Sequence, residues 1–204
     1  MKAALIAAPL VLLAGCGERA ADNSAAAAGN AATMAESKVE DTAGAAVGMG
    51  GAMAANNTAA DYVTNAALGD MYEIESSKLA LEKSASAEVK KFAQQMITDH
   101  TATSKKMKET VAQAGLNLTP PAALDARRQG MLDNLKAASG ADFDRAYLDQ
   151  QTAAHSEALT LHQGFAEDGD NDALKKLAAE TAPKIQHHYD MVRQLDSAGA
   201  DGTR

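Results

Sequence analysis

Five histidines stand in this 204-residue chain, and four of them fall where helical periodicity turns side chains inward. At about 100° per residue, His100 shares a stripe with Met96 and Met107, and His188 shares one with Leu177, Ile185, Val192 and Leu195. His155 flanks the apolar face set by Phe143, Tyr147, Ala154, Ala158, Leu161 and Phe165, and His162 follows seven residues later on the same stripe. On an earlier helical stretch Glu73 borders the apolar stripe and Asp70 falls close to its centre. One imidazole from each of three helices, with a carboxylate from a fourth, is the donor set of a metal site in a bundle core. Such donors suit zinc, iron or copper better than calcium or magnesium. The candidate ligands are therefore Glu73, His100, His155 and His188, with Asp70, Asp99 and His162 as candidate hydrogen-bond partners around them. The competing reading is a polar layer, in which the imidazoles bond Glu73, Asp99 or hydroxyl groups and hold nothing.

Other chemistries find less support. Di-iron bundles place Glu-x-x-His on two helices, but Ile97 stands three residues before His100 and Ile185 three before His188. The run Asp168-Gly169-Asp170-Asn171-Asp172 hints at a calcium loop, yet its twelfth position is Ala179 and its sixth is not glycine. It reads better as a turn whose acidic residues cap the next helix. Of His187 and His188 one faces in and the other out, so the pair cannot chelate together inside a bundle. Pro183, about one turn before His188, is expected to kink its helix or free a carbonyl. No nucleophile-base-orienter set and no glycine-rich phosphate loop is present. No catalytic residue is assigned.

The elements that must carry these side chains are helices. Periodicity predicts a first helix over about Ala59 to Ala85, with Val63, Ala67, Ile74, Ser77 and Leu81 on its inner face. A second spans about Ala87 to Ala114 and buries Val89, Phe92, Met96, His100, Met107 and Val111, with Ser84 and Ser86 placed to cap its start. Gly115 and the Pro120-Pro121 pair end it. A shorter segment over Ala122 to Ala138 carries Leu124, Met131, Leu132 and Leu135. A third long helix begins near Ala141, and a fourth covers about Asp172 to Ser197 with Leu174 at its inner start. Glu73 lies 13 residues before Ser86 and His100 lies 14 after it, so an antiparallel hairpin brings them to one level. Two short turns and one long connection give an all-α fold: a ferritin-like antiparallel four-helix bundle whose long crossover contains a short extra helix. Only 3% of residues are aromatic and Trp is absent, which suits a helical core of Leu, Met, Ala, Ile and Val rather than a β-sandwich.

Residues 1–58 are of a different character. Lys2 and the apolar run Ala3 to Leu13 have the form of a signal segment, too short to span a bilayer. Leu13-Ala14-Gly15-Cys16 resembles the lipobox of bacterial lipoproteins, which implies cleavage before Cys16 and acylation of that residue. Residues 1–15 are thus expected to be a lipoprotein signal peptide, and several acyl chains would anchor the mature chain stably. Gly17 follows where Asp is absent, which by the same resemblance favours the outer membrane, facing the periplasm, with surface exposure left open. From Gly17 to Thr58 the chain is rich in Ala, Gly, Asn and Ser without apolar period, so 16–58 reads as a lipidated tether, its Met34, Met49 and Met53 incidental. The bundle is expected over 59–198 and a disordered tail over 199–204. The formal charge of -8 argues against nucleic acid as a partner.

Within the helical part, Tyr72-Glu73-Ile74-Glu75, Lys78-Leu79-Ala80-Leu81, Phe92-Ala93-Gln94-Gln95-Met96 and Asp99-His100 resemble one bacterial family. So do Phe143-Asp144-Arg145-Ala146-Tyr147-Leu148, Ala154-His155, and Pro183 with His188. It is the domain-of-unknown-function 4142 family of exported proteins, and the resemblance spans about Asp61 to Leu195. It implies a ferritin-like fold, an export route and a recurrent Glu/His set at Glu73, His100, His155 and His188, without an established reaction. Two functions follow. One is a non-enzymatic envelope lipoprotein that binds a protein partner or serves stress tolerance. The other is a metal-binding bundle that buffers or senses zinc, iron or copper.

Overall fold

The computed structural model describes residues 57–201. The signal peptide, Cys16 and the tether expected over 16–58, up to Asn56, lie outside the described residues. Five helices follow in order: α1 Ala59–Lys83, α2 Ala87–Gln113, α3 Ala126–Ala137, α4 Gly140–Asp168 and α5 Asp172–Asp201. Their interiors are rich in Ala, Leu, Met, Glu, Lys and Gln, all good helix formers. The starts are fixed by side-chain caps. Thr58 Oγ1 accepts from the Asp61 amide, Ser86 Oγ from Val89, and Asp125 Oδ1 from Arg128, each occupying an amide that has no partner within its own helix. Ser84, buried at the α1–α2 junction, accepts the Ser86 amide through its hydroxyl. Gly115, at φ +66°, stops α2: the Leu116 amide reaches back to the Val111 carbonyl, a closure that needs a left-handed residue.

The α1–α2 and α4–α5 hairpins pack side by side, and the crossover over residues 114–139 carries the chain back along the bundle. Every neighbouring pair of long helices is therefore antiparallel, the ferritin-like arrangement expected from one long and two short connections. α3 lies across α1 and α4 and buries only Leu132 and Leu135. The core falls into two clusters. One, at the start of α1, gathers Tyr62, Val63, Met107, Val111, Phe165, Leu174 and Leu177, with Tyr62 and Phe165 stacked at 4.2 Å between centroids. The other, at the opposite end, gathers Ala80, Val89, Phe92, Met96, Leu135, Phe143, Tyr147 and Val192. Between them, buried polar groups occupy all four long helices: Asp70 and Glu73, His100, Gln151 and His155, and His188.

The structure corrects several expectations. On α1, Ile74 and Leu81 are only partly buried, while Tyr62, Ala66, Tyr72, Ser76 and Ala80 are inside. The reason is that α1 packs on α2, α3 and α4 together, so its buried face is wider than one stripe. α3 begins four residues later than expected, where Asp125 supplies the cap, and α5 runs to Asp201, into the residues expected as tail. Pro183 lies inside α5, as expected, and the helix continues past it. The cap of α5 is Asn171, whose Oδ1 accepts from the Leu174 amide, while the neighbouring Asp170 bonds the Ala59 amide at the start of α1. The α4–α5 turn is closed tightly: a Cβ on Gly169 would lie 2.6 Å from the Phe165 carbonyl and 2.7 Å from its ring.

Candidate metal centre

His100, His155 and His188 face one another from α2, α4 and α5, each 2% exposed or less. Their ring centroids are 5.5–5.7 Å apart, and one nitrogen from each lies within 4.8 Å of the other two. Each ring is held at its outer nitrogen by an acceptor. His100 Nδ1 bonds Asp70 Oδ1 at 2.8 Å, and the second oxygen of Asp70 accepts from Ser104 at 2.8 Å. His155 Nδ1 donates to the Gln151 carbonyl, one turn back on α4, at 2.8 Å. His188 Nε2 bonds Asp99 Oδ2 at 2.9 Å, and Asp99 also bonds Gln95 and Lys184.

These partners set the tautomers. A carboxylate or carbonyl only accepts, so the outer nitrogen of each ring carries the proton and the inner nitrogen of a neutral ring presents a lone pair. The inner nitrogens are His100 Nε2, His155 Nε2 and His188 Nδ1, and all three are buried without a hydrogen-bond partner. An unsatisfied buried polar atom costs about 1–3 kcal/mol. Three aimed at one point are not what a satisfied polar layer produces; the layer explains the outer nitrogens and leaves the inner ones unexplained. A divalent transition metal fits them: imidazole donors, outer nitrogens oriented by carboxylate or carbonyl, and bond lengths of about 2.0–2.1 Å that would draw the three atoms together.

Glu73 stands beside this set, not in it. Its Oε1 is 3.8 Å from His155 Nδ1, beyond hydrogen-bond reach, and its Oε2 is buried without a partner. Burial pushes its carboxyl up to about 7, although His100 pulls the other way. Burial holds His155 down to about 3 and His188 down to about 4, with the charge on His100 adding to both. Burial also opposes a charge on His100, but the hydrogen bond and charge of Asp70, with Glu73 and Asp99, outweigh it and raise its pKa. Two of the imidazoles are thus neutral, ready donors at neutral pH, while the surroundings of His100 favour its protonated form and so oppose its service as a donor.

Of the residues expected around the ligands, Asp70 and Asp99 each hold one ring, while His162 bonds the Tyr62 hydroxyl at 3.0 Å, about 10 Å further along α4 at 1.5 Å per residue. His162 instead lines a cavity of about 380 Å³ between α1, α3 and α4, which also reaches Asp70, Glu73, His100 and His155. Sequence reasoning missed Gln151 and Ser104. Gln151 precedes His155 by one turn, a spacing that could have marked its carbonyl as the ring's acceptor, and its side chain donates to Ser76. Ser104, four residues after His100, carries no sequence signal that separates it from other surface serines.

The model of the domain of unknown function DUF4142 matches residues 44–195. Solved structures with a similar fold include CopM in its Cu(II)-bound form, at 21% identity and TM-score 0.59, covering 69% of this chain and 97% of that one. CopM in its Ag-bound form is similar at 23% identity and TM-score 0.57, over 69% and 96% of the two chains. A DUF305 protein from Streptomyces coelicolor, described as secreted, shares 13% identity at TM-score 0.57, over 68% and 91%. No curated protein matches the chain.

Proposed function

The chain belongs to the DUF4142 family, and we propose that this member is an exported protein that binds one transition-metal ion, copper foremost, through His100, His155 and His188. The observation that carries the reading is the convergence of three buried, unpartnered imidazole nitrogens on one point. The copper- and silver-bound forms of CopM, which share the fold, support the choice of metal. Asp70, Gln151 and Asp99 orient the rings, so binding needs little rearrangement of the donors. The ion would link α2, α4 and α5 as a Lewis acid held by neutral imidazoles, which suits buffering or sequestration.

The proposal includes a lipid anchor at Cys16, supported by the lipobox-like Leu13-Ala14-Gly15-Cys16, and a tether that leaves the bundle in the periplasm. No helix among the described residues is long and apolar enough to cross a membrane. Protein purified without an affinity tag is expected to hold one equivalent of copper or zinc by elemental analysis; sub-stoichiometric metal after incubation with either ion rejects the centre. Cys16→Ser is expected to move the protein from the membrane to the soluble envelope fraction, and unchanged membrane association rejects the anchor.

A further inference from the structure

The three inner nitrogens are sealed from solvent, so an ion has to reach them through the protein. Two depressions on the bundle bear on the route. The smaller, about 130 Å³ between α2 and α5, touches none of the three imidazoles, and its Lys106 and Lys184 are paired with Glu180 and Asp99. The larger is the cavity of about 380 Å³ that ends on His100 and His155. An ion with six waters fills about 180 Å³ at ~30 Å³ per water, so this cavity admits a cation with its hydration shell.

Its charges favour one. Four carboxylates line it, Asp70, Glu73, Asp125 and Glu157, against two guanidiniums, Arg127 and Arg128. Glu157 holds Arg127 through two hydrogen bonds and Asp125 holds Arg128, so the outer charges are matched. Inside, Asp70 is committed to His100 and Ser104. Of the four, only Glu73 keeps a buried oxygen without a partner, beside His155 yet outside the set of converging nitrogens. Resting on the metal-binding reading above, we propose that the cavity between α1 and α4 is the loading port of the centre. Glu73 is its transfer ligand: it takes a hydrated divalent cation, replaces part of its water, and passes it to His100 and His155.

The port can be narrowed without touching a ligand. Gly69 lines it, and a Cβ there meets no heavy atom within 4 Å. Leucine in place of a helical glycine also favours the helix. Apo-protein is mixed with Cu²⁺ to follow loading, and the loaded protein with a chelator to follow release. Gly69→Leu is expected to slow both at least about tenfold while the dissociation constant moves less than about threefold. Glu73→Gln is expected to slow loading about tenfold, and Ala102→Leu, exposed on α2 beside the smaller depression, to leave the rates unchanged. Wild-type rates in Gly69→Leu overturn the port. Weakened affinity with an unchanged loading rate in Glu73→Gln overturns the transfer role and makes Glu73 a resident ligand. Failure of the wild type to take Cu²⁺ at all rejects the metal centre itself, a different result from failure of the port.

Discussion

Replacing His155 by leucine is expected to abolish stoichiometric metal binding and to leave the apo-protein at least as stable as the wild type. His155 is 1% exposed, faces Phe92 at 6.3 Å between centroids, and keeps Nε2 buried without a partner. Leucine fills a similar volume with no polar atom, and exchanging an unsatisfied buried group for an apolar one of like shape is neutral or stabilising. Relief of about 1–3 kcal/mol raises the melting temperature by a few degrees, at about 2–4 °C per kcal/mol for a domain near this size. Loss of one donor in three weakens binding by more than the 10–100-fold that loss of an orienting partner typically costs. Thermal melts of the metal-free protein and competition titration with a chelating dye check both halves. Undiminished affinity shows that metal sits elsewhere. A variant that melts far below the wild type shows that the imidazole is there for packing alone.

The second large effect is acid sensitivity. Apo-protein is expected to lose several kcal/mol between pH 7 and pH 4, and to unfold near the lower end. His155 titrates at about 3 when folded, His188 and His162 at about 4, against an ordinary 6.5. Burial is the first cause for all three. Between those values the unfolded chain holds protons that the folded one does not, so stability is present above pH 6.5 and is lost as pH falls. Each imidazole costs about 3 kcal/mol by pH 4 at 1.36 kcal/mol per unit. Glu73 acts oppositely. Its folded value of about 7 lies above the ordinary 4.5, so acidification returns a similar amount. The raised pKa of His100 adds stability that is already complete below pH 6.5. The net is two imidazoles' worth against a typical total of about 5–15 kcal/mol. Urea denaturation at stepped pH measures it, and a flat profile from pH 7 to pH 4 contradicts the burial of neutral imidazoles.

Much of this architecture is legible in the sequence, for a physical reason. A helix writes its inner face at a fixed period, so the inward positions of His100, His155 and His188 follow from their apolar neighbours. The short α1–α2 and α4–α5 turns and the long crossover then leave few ways to pack four helices. What the period does not carry is the rotation of each ring about its own bonds. That rotation separates the three rings that face one another from His162, which stands on the same stripe of α4 as His155 but bonds Tyr62. Glu73 illustrates the same limit. Its level on α1 was set by the hairpin, but its reach toward His155 falls short of the nitrogens that converge. The cavity is not encoded in any single stretch; it arises where Gly69 and Ala66 on α1 meet Ala154 and Ala158 on α4.

The division of the apolar core has a consequence for cohesion. The two clusters occupy opposite ends of the bundle, and the layer between them is made of carboxylates, an amide and imidazoles, which add little cohesion by exclusion of water. Without an ion this polar layer is therefore the level at which the bundle is least held by apolar packing. An ion held by α2, α4 and α5 would bridge that layer from within. Loading would then do more than store a metal: it would tie three helices together at the level where apolar packing is thinnest.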